Sequence, residues 1–358
     1  MKILLGLPAT SLGKRSYCGF KDEYHGVSVN PLYAGSFGWY WIKALRQLGH
    51  TVETATIFQS AVGNERPVLL SWSDSFKKRL GIKKWCAQKT GSILFAKCKE
   101  YNPDLVIVDS GYLLSAQALA RIKEELRIPL VSWLLDDPVR QGLKNVVDSF
   151  PLYDCIFTFD PYYVPEYLKL GARRVEYLPC ACDPDIYHHI HNETLLYDLC
   201  FVGTVTAHRR ELLLGLTDFD LNIWTRESHT LPEQLKNPRC LKGKAFGEDI
   251  NTIYNASRIA LNFHHPQSYF GTNMRTFEIA CSGTFQLVDE KQELSKLFRL
   301  GEELICYHSM EELRTLIRYY LDHPEERSVY AGKALKRAQG EHTYVHRFRR
   351  LLEVAASL

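Results

Sequence analysis

The feature that most constrains this chain is a series of short, wholly apolar segments, each closed by a glycine, proline or acid and followed by residues at helical spacing. "KILLGL" (2–7), "PDLVIVDSG" (103–111), "IPLVSWLLDDP" (128–138) and "YDCIFTFDP" (153–161) come first. A strand without polar alternation is buried on both faces, so it belongs in a parallel sheet covered by helices. "SFGWYWIKALRQLGH" and "SAQALARIKEELR" supply helices, and "TVETATI" is the strand after the first of them. Strand, helix, strand opens a βαβ unit. After "VEYLPCACDPDIY" the rhythm restarts with "YDLCFVGTV" (197–205), a helix from Arg209, "LNIWT", a helix around "DINTIYNAS", "RIALNFH", a further helix and "GTFQLVD". Two doubly wound α/β domains joined near residues 179–190 are therefore expected, in keeping with the ~150 residues that one domain usually takes. The segment from Glu325 onward reads as two closing helices.

Composition removes several classes. A formal charge of +3 over 358 residues is too small for a general nucleic-acid binder. The opening "MKILLGLPATSLGK" carries about five apolar residues before Pro8, short of a secretory leader, and no run approaches the ~20 of a membrane span. The cysteines are scattered through apolar runs, and Cys180 and Cys182 have neither metal nor easy disulfide spacing. Reduced thiols, no metal and a cytoplasmic location are the expectation.

Two phosphate motifs fail. Gly6 and Gly13 enclose six residues and Arg15 follows Lys14, whereas a P-loop needs four residues and then Ser or Thr. No early strand is followed by the Gly-x-Gly-x-x-Gly of a dinucleotide-binding dehydrogenase. The loop from Lys14 to Gly26, with His25, reads instead as a flexible cover beside the first strand. In open α/β sheets ligands lie beyond the C-terminal strand ends, where this chain has Asp109, Asp136, Asp137 and Asp160. "DDP" also reads as a turn before Pro138. Gly203 ends a strand, with Arg209 and Arg210 at the next helix start; that arrangement suits an anion, and equally a solvated helix face.

"YFGTNMRTFEIACSGTFQLVD" (269–289) is the densest stretch. Asn273 suits an N-cap and Gly283 a helix stop, which puts Glu278 in the first half of a short helix. A helix N-terminus suits phosphate, and a carboxylate one turn in can accept two ribose hydroxyls. Arg275 and Glu278, three apart, can also form a mere surface ion pair worth ~0.3 kcal/mol. Spacing leaves both readings open.

The segments "LNFHHPQSYFGTNMRTFEIACSGTFQLVD" and "LFRLGEELICYHSMEELRTLIRYYLDHPEER" resemble the CgeB-type glycosyltransferases, which in turn resemble group 1 glycosyltransferases of GT-B fold. The likeness spans roughly residues 100–350 and is most specific from Leu261 to Arg327. It implies an N-terminal acceptor domain (1–182), a C-terminal sugar-nucleotide domain (183–335) and a C-terminal helix (336–358) returning to the first. It places Glu278 on the ribose-holding glutamate, Gly271, Thr272, Asn273 and Met274 on the loop facing diphosphate and donor sugar, and Gly203 with Arg209 or Arg210 on the phosphate loop. Arg275 would neutralise phosphate or fix the glutamate. A second glutamate common in group 1 enzymes is here Phe270.

The resemblance implies transfer from a nucleotide-sugar, a UDP-sugar, to a hydroxyl of a glycan, lipid-linked, protein or small-molecule acceptor, with retention and no further cofactor or metal. Asp137, Asp136 and His25 are the candidates for a base facing the acceptor. The basic tail suits an anionic membrane surface, or simply packs as helices. The alternative is a non-catalytic sugar-nucleotide-binding protein of the same fold.

Overall fold

Two parallel six-stranded sheets, each with its own helices, make up the protein. The computed structural model describes residues 1–7, 23–24, 27–28, 37–56, 82–109, 114–191, 194–226, 228–237 and 239–358. The chain divides into one unit of Met1–Leu178 with Phe348–Leu358 and a second of Pro179–Arg347.

The first unit contains β1 (Lys2–Leu7), the short antiparallel pair β2 (Glu23–Tyr24) and β3 (Val27–Ser28), α1 (Phe37–Gln47), β4 (Thr51–Thr56) and α2 (Ile82–Tyr101). β5 (Leu105–Asp109), α3 (Ala116–Arg121), β6 (Leu130–Leu134), α4 (Lys144–Val147), β7 (Cys155–Thr158), α5 (Tyr163–Lys169) and β8 (Val175–Tyr177) follow. The sheet order is β4-β1-β5-β6-β7-β8. Ile3 of β1 pairs with Val52 on one side and Leu105 on the other, and β5, β6 and β7 are buried along their whole length, which is why these segments show no alternation. Trp41 of α1 stacks on Trp133 of β6 at 5.2 Å, and Phe348 meets both rings edge-on at 5.5 and 5.6 Å. The chain's last residues thus complete the core in which its first strand lies.

The second unit contains β9 (Tyr197–Val202), α6 (Ala207–Leu214), β10 (Leu221–Trp224), α7 (Glu233–Lys236), β11 (Leu241–Gly243), α8 (Glu248–Asn255) and β12 (Ser257–Asn262). It continues with α9 (Met274–Cys281), β13 (Gln286–Asp289), α10 (Leu294–Leu297), β14 (Ile305–Tyr307), α11 (Met310–Asp322) and α12 (Pro324–Glu341). The last helix, α13 (Tyr344–Ala355), begins here and runs on into the first unit's residues. The order β11-β10-β9-β12-β13-β14 puts β9 and β12 side by side where the winding reverses. Leu199, Phe201, Ile223, Ile259, Leu261 and Leu287 form its core with Leu213 of α6 and Leu313 and Ile317 of α11.

Local chemistry sets the helix ends. Thr206 accepts from Arg209 N, so α6 starts two residues before the expected Arg209. Gly283, at φ +69, follows α9, with His189 Cβ 3.1 Å from where its own Cβ would stand; the glycine is required there on both counts. The helix α2 and the strands β11 and β14 had no clear apolar signal. The cysteines from Cys98 onward are free, all buried except the half-buried Cys306, and among the described residues no helix is long and apolar enough to cross a membrane. Cys18 lies outside the described residues.

One guanidinium closes the second unit. Buried Arg347 donates from Nε to Pro179 O (3.0 Å) and Cys180 O (3.1 Å), from Nη1 to Glu341 O (3.2 Å) and from Nη2 to His342 Nδ1 (3.0 Å). His342 Nε2 donates to Leu297 O at 2.7 Å. Burial, and then the Arg347 charge, lower the His342 pKa to about 4. The folded pKa lies below the unfolded one, so the unfolded chain takes up the proton first. Stability conferred by neutral His342 should be complete above about pH 6.5 and fall as pH drops toward about 4, by on the order of 3 kcal/mol. Urea midpoints across that range should show the slope in the wild type and lose most of it in His342→Gln.

Candidate functional site

At the switch point of the second sheet, the loop after β9 (203–206) and the loop after β12 (263–273) emerge next to each other from the strands' C-terminal ends. Crevices of this kind are where doubly wound sheets hold ligands. Each loop ends at an N-capped helix of eight residues: Thr206 caps α6, and Asn273 Oδ1 accepts from Thr276 N (3.1 Å) to cap α9. The first-turn N–H groups of a helix have no intrahelical acceptor, and they carry the positive end of its dipole. Two such ends at one switch point make an electropositive place for an anion.

Arg209 joins the loops. Its Nε and Nη2 donate to Phe263 O at 2.9 and 2.5 Å, and its Nη1 donates to Thr204 O at 2.9 Å. The guanidinium also lies 5.8 Å from the Phe201 ring centroid. Burial pushes its pKa down to about 10, a shift that the Asp289 carboxylate opposes, so the group stays charged at neutral pH. Its donors are spent on backbone, whereas Arg210 on the same helix is half-buried. Gly203 N donates to Trp224 O at 3.0 Å and anchors the first loop to the sheet.

Beneath the second loop lies a connected set of polar side chains, all buried except the half-buried Asn273 and Asp289. Asp289 Oδ1 accepts from His264 N at 2.7 Å and lies 2.8 Å from His264 Nδ1. His264 Nε2 is 2.8 Å from Thr272 Oγ1, which bonds Thr276 Oγ1. Asn262 Nδ2 donates to Thr276 Oγ1 (2.9 Å) and Gln286 Oε1 (3.3 Å), and Asn262 Oδ1 accepts from Asn273 Nδ2 (2.8 Å). Burial alone would raise the Asp289 carboxyl, but His264 and Lys291 hold it below its ordinary value. Sequence reasoning picked out Thr272 and Asn273 of this set and missed Asn262, His264, Gln286 and Asp289.

Arg275 and Glu278 do pair, although not on the surface. Glu278 is 1% exposed, and its Oε2 accepts from Arg275 Nη1, whose side chain is 21% exposed. Glu278 Oε1 is buried without a hydrogen-bond partner. Burial raises the Glu278 carboxyl above its ordinary pKa against the pull of Arg275 and of the nearby Tyr187 hydroxyl. Met274 is half-buried at the first helical position, and Gly271 is buried just before the cap.

The acids of the first unit take up another role as well. Asp137 Oδ1 accepts from Val139 N at 2.9 Å, and Asp160 Oδ1 accepts from Tyr162 N at 2.9 Å, so each shapes the turn that follows its strand. Asp137 is buried, Asp136 beside it is exposed, and Asp109 is buried at the end of β5. His25 and the loop around it lie outside the described residues. Among the described residues no three His, Cys, Asp or Glu side chains are grouped to hold a metal ion.

Known proteins share the fold and part of the sequence. Residues 208–353 match the family model described as glycosyl transferase-like. Spore protein CgeB of Bacillus subtilis is 24% identical over 296 residues, covering 78% of this chain and 91% of its own. Among solved structures, the sucrose-phosphate synthase of Thermosynechococcus elongatus superposes with a TM-score of 0.71 at 11% identity, over 99% of this chain and 98% of its own. Anabaena HepE in complex with UDP-glucose superposes at 0.64 with 14% identity over the whole of both chains.

Because Arg209 is spent on Phe263 and Thr204, its loss should act on folding. Arg209→Met strands the buried Phe263 carbonyl and frees that of Thr204, and should lower unfolding free energy by ~1–3 kcal/mol, read as a shift of the urea midpoint. A full-stability variant that lost only anion affinity would contradict the bracing role.

Proposed function

We propose that this chain, of GT-B fold, is a CgeB-like glycosyltransferase whose second unit binds a UDP-sugar and passes its glycosyl group to an acceptor hydroxyl. One observation carries the reading. Glu278 Oε1 is buried and accepts no well-formed hydrogen bond, one turn inside the helix whose N-terminus stands at the switch point. A buried carboxylate oxygen without a donor is costly, and a ribose hydroxyl would satisfy it. The donor's diphosphate would then lie at the N-termini of α6 and α9, with Gly203, Arg210, Gly271, Asn273 and Met274 around it and Arg275 adding charge, while the wholly buried Thr272 side chain stays out of contact. The neighbour solved with UDP-glucose supports uridine as the base.

In this reading the departing diphosphate is stabilised by helix-end N–H groups and cations set in place beforehand. The nucleotide-sugar is the only co-substrate required. Configuration is retained by attack on the face from which the diphosphate leaves, and the first unit supplies the acceptor contacts. On this reading Asp136, exposed after β6, Asp137 and His25 remain the candidates for orienting an acceptor hydroxyl. The free thiols support a cytoplasmic site of action. In the tail, Arg337 and Arg350 pair with Glu303 and Glu353, which favours packed helices over a membrane-binding surface.

Thermal shift against UDP, GDP, TDP and CMP tests the reading. At a hundred times its dissociation constant UDP should add ~2.7 kcal/mol, and indifference to every nucleotide would refute it. Glu278→Gln removes a charge-assisted acceptor worth ~1.5–3 kcal/mol, so UDP affinity should fall at least tenfold while the fold is kept. Asp137→Asn should lower transfer yet leave the UDP dissociation constant within about threefold, a difference under ~0.7 kcal/mol. Full transfer activity in both Asp137→Asn and Asp136→Asn would remove these acids from the acceptor site.

A further inference from the structure

The polar chain beneath the loop after β12 has so far been given no part in the reaction. It links the two ends of that loop. His264 and Thr272 stand eight residues apart in sequence, yet the imidazole Nε2 is 2.8 Å from the Thr272 hydroxyl. Asp289 fixes the ring, since a single carboxylate oxygen takes both the backbone N–H of His264 and the Nδ1 side of its imidazole. With Asp289 ionised, Nδ1 carries the proton, and in the neutral ring Nε2 accepts from Thr272.

Acid, imidazole and hydroxyl in series suggest a nucleophile at first sight, for such a triad is recognised by geometry and not by sequence order. Burial argues otherwise. Thr272 is 0% exposed and its oxygen is also bonded to Thr276, so the hydroxyl has no route to an electrophile. What the series does is close residues 265–271 into a loop pinched at its base. Inside the loop, Ser268 N donates to His265 O (2.8 Å), Gln267 N to His265 Nδ1 (3.2 Å), and Glu293 N from outside to Phe270 O (3.0 Å). The loop displays Tyr269 and Phe270, which are 46% and 42% exposed, beyond the C-terminal end of β12 at the switch point.

We propose that Asp289, His264 and Thr272 form a clamp that holds loop 265–271 in the shape that receives the sugar of the donor. The inference rests on the reading that this unit binds a UDP-sugar. The three are positioning residues. They touch no substrate, and they set a loop before the substrate arrives, so the ordering cost is met in folding and not in binding. The nucleotide depends on the two helix N-termini and Glu278, and the sugar on the loop, so damage to the clamp should separate the two.

The test uses the full chain with Thr272→Val, which keeps shape but removes the hydroxyl, and Thr272→Ser, which keeps the hydroxyl. Dissociation constants for UDP, UDP-glucose and UDP-N-acetylglucosamine are measured by calorimetry, and acceptor-free hydrolysis of whichever sugar nucleotide binds best gives turnover. Thr272→Val should hold UDP within threefold of wild type but weaken the sugar nucleotide, or slow its turnover, at least tenfold. Thr272→Ser should recover most of that loss. Equal losses for UDP and sugar nucleotide, or none for either, would overturn the clamp while the wild type still binds. A wild type that binds neither sugar nucleotide would overturn the functional reading, and the clamp with it. Should Thr272→Val fail to fold, His264→Gln, which reaches toward Thr272 but loses the Asp289 bond, is read by the same split between sugar and nucleotide.

Discussion

The site in the second unit depends on one buried cation with no carboxylate bonded to it. At the switch point the connections after β9 and β12 leave in opposite directions, which opens a crevice and also deprives both loops of ladder partners. Phe263 O and Thr204 O would be stranded there. Arg209 supplies three hydrogen bonds to those two carbonyls and so fixes the distance between the loops. Burying a guanidinium is expensive, as its pKa of about 10 records, and the Phe201 ring and the nearby Asp289 carboxylate offset part of that cost. Lysine, a point charge without a fork, could not serve both carbonyls in this way. The N-termini of α6 and α9 are therefore set relative to each other before any ligand binds.

Much of this fold was legible because fully buried parallel strands have an unmistakable pattern. "LLGL", "LVIVD" and "LCFV" carry no polar residue before the strand end, and each became a central strand. The edge strands were harder. β11 is the three-residue "LKG" and β14 is "ICY", too short to show a period against their surroundings, so they are strands only because a neighbour pairs with them. The long helix α2 mixes apolar and polar residues with no clear face and gave no periodic signal.

Within the site, the cap Asn273 and the stop Gly283 were readable locally, since they act on residues within four positions, whereas Thr206 was missed as the cap of α6. Glu278 was read as either a ribose acceptor or half of a surface pair. It is half of a pair, but a buried one, and burial is what leaves its second oxygen without a partner. Spacing gives the pairing and says nothing of the depth. An arginine and a glutamate three apart on a helix look the same in sequence whether water or protein lies above them, yet the exposed pair is worth a few tenths of a kcal/mol whereas the buried one governs the protonation of its carboxyl.

His264 and Asp289 were missed for a different reason, and their partnership was derivable. They lie 25 residues apart, with a loop, a helix and a strand between them. Once β12 and β13 are taken as adjacent parallel strands, Asn262 falls opposite Val288, and the residues just past that rung, His264 and Asp289, must emerge at the same edge of the sheet. A histidine and an aspartate at neighbouring C-terminal strand ends are then within bonding reach before any side chain is placed. Parallel register therefore turns two unremarkable loop residues into a fixed pair, and because the loop that leaves β12 at Asn262 ends at Asn273, the same edge also receives the cap of the helix that carries Glu278. The two loops of the candidate site thus descend from one structural fact, the adjacency of β9, β12 and β13, and differ only in which side chains were available to tie them down.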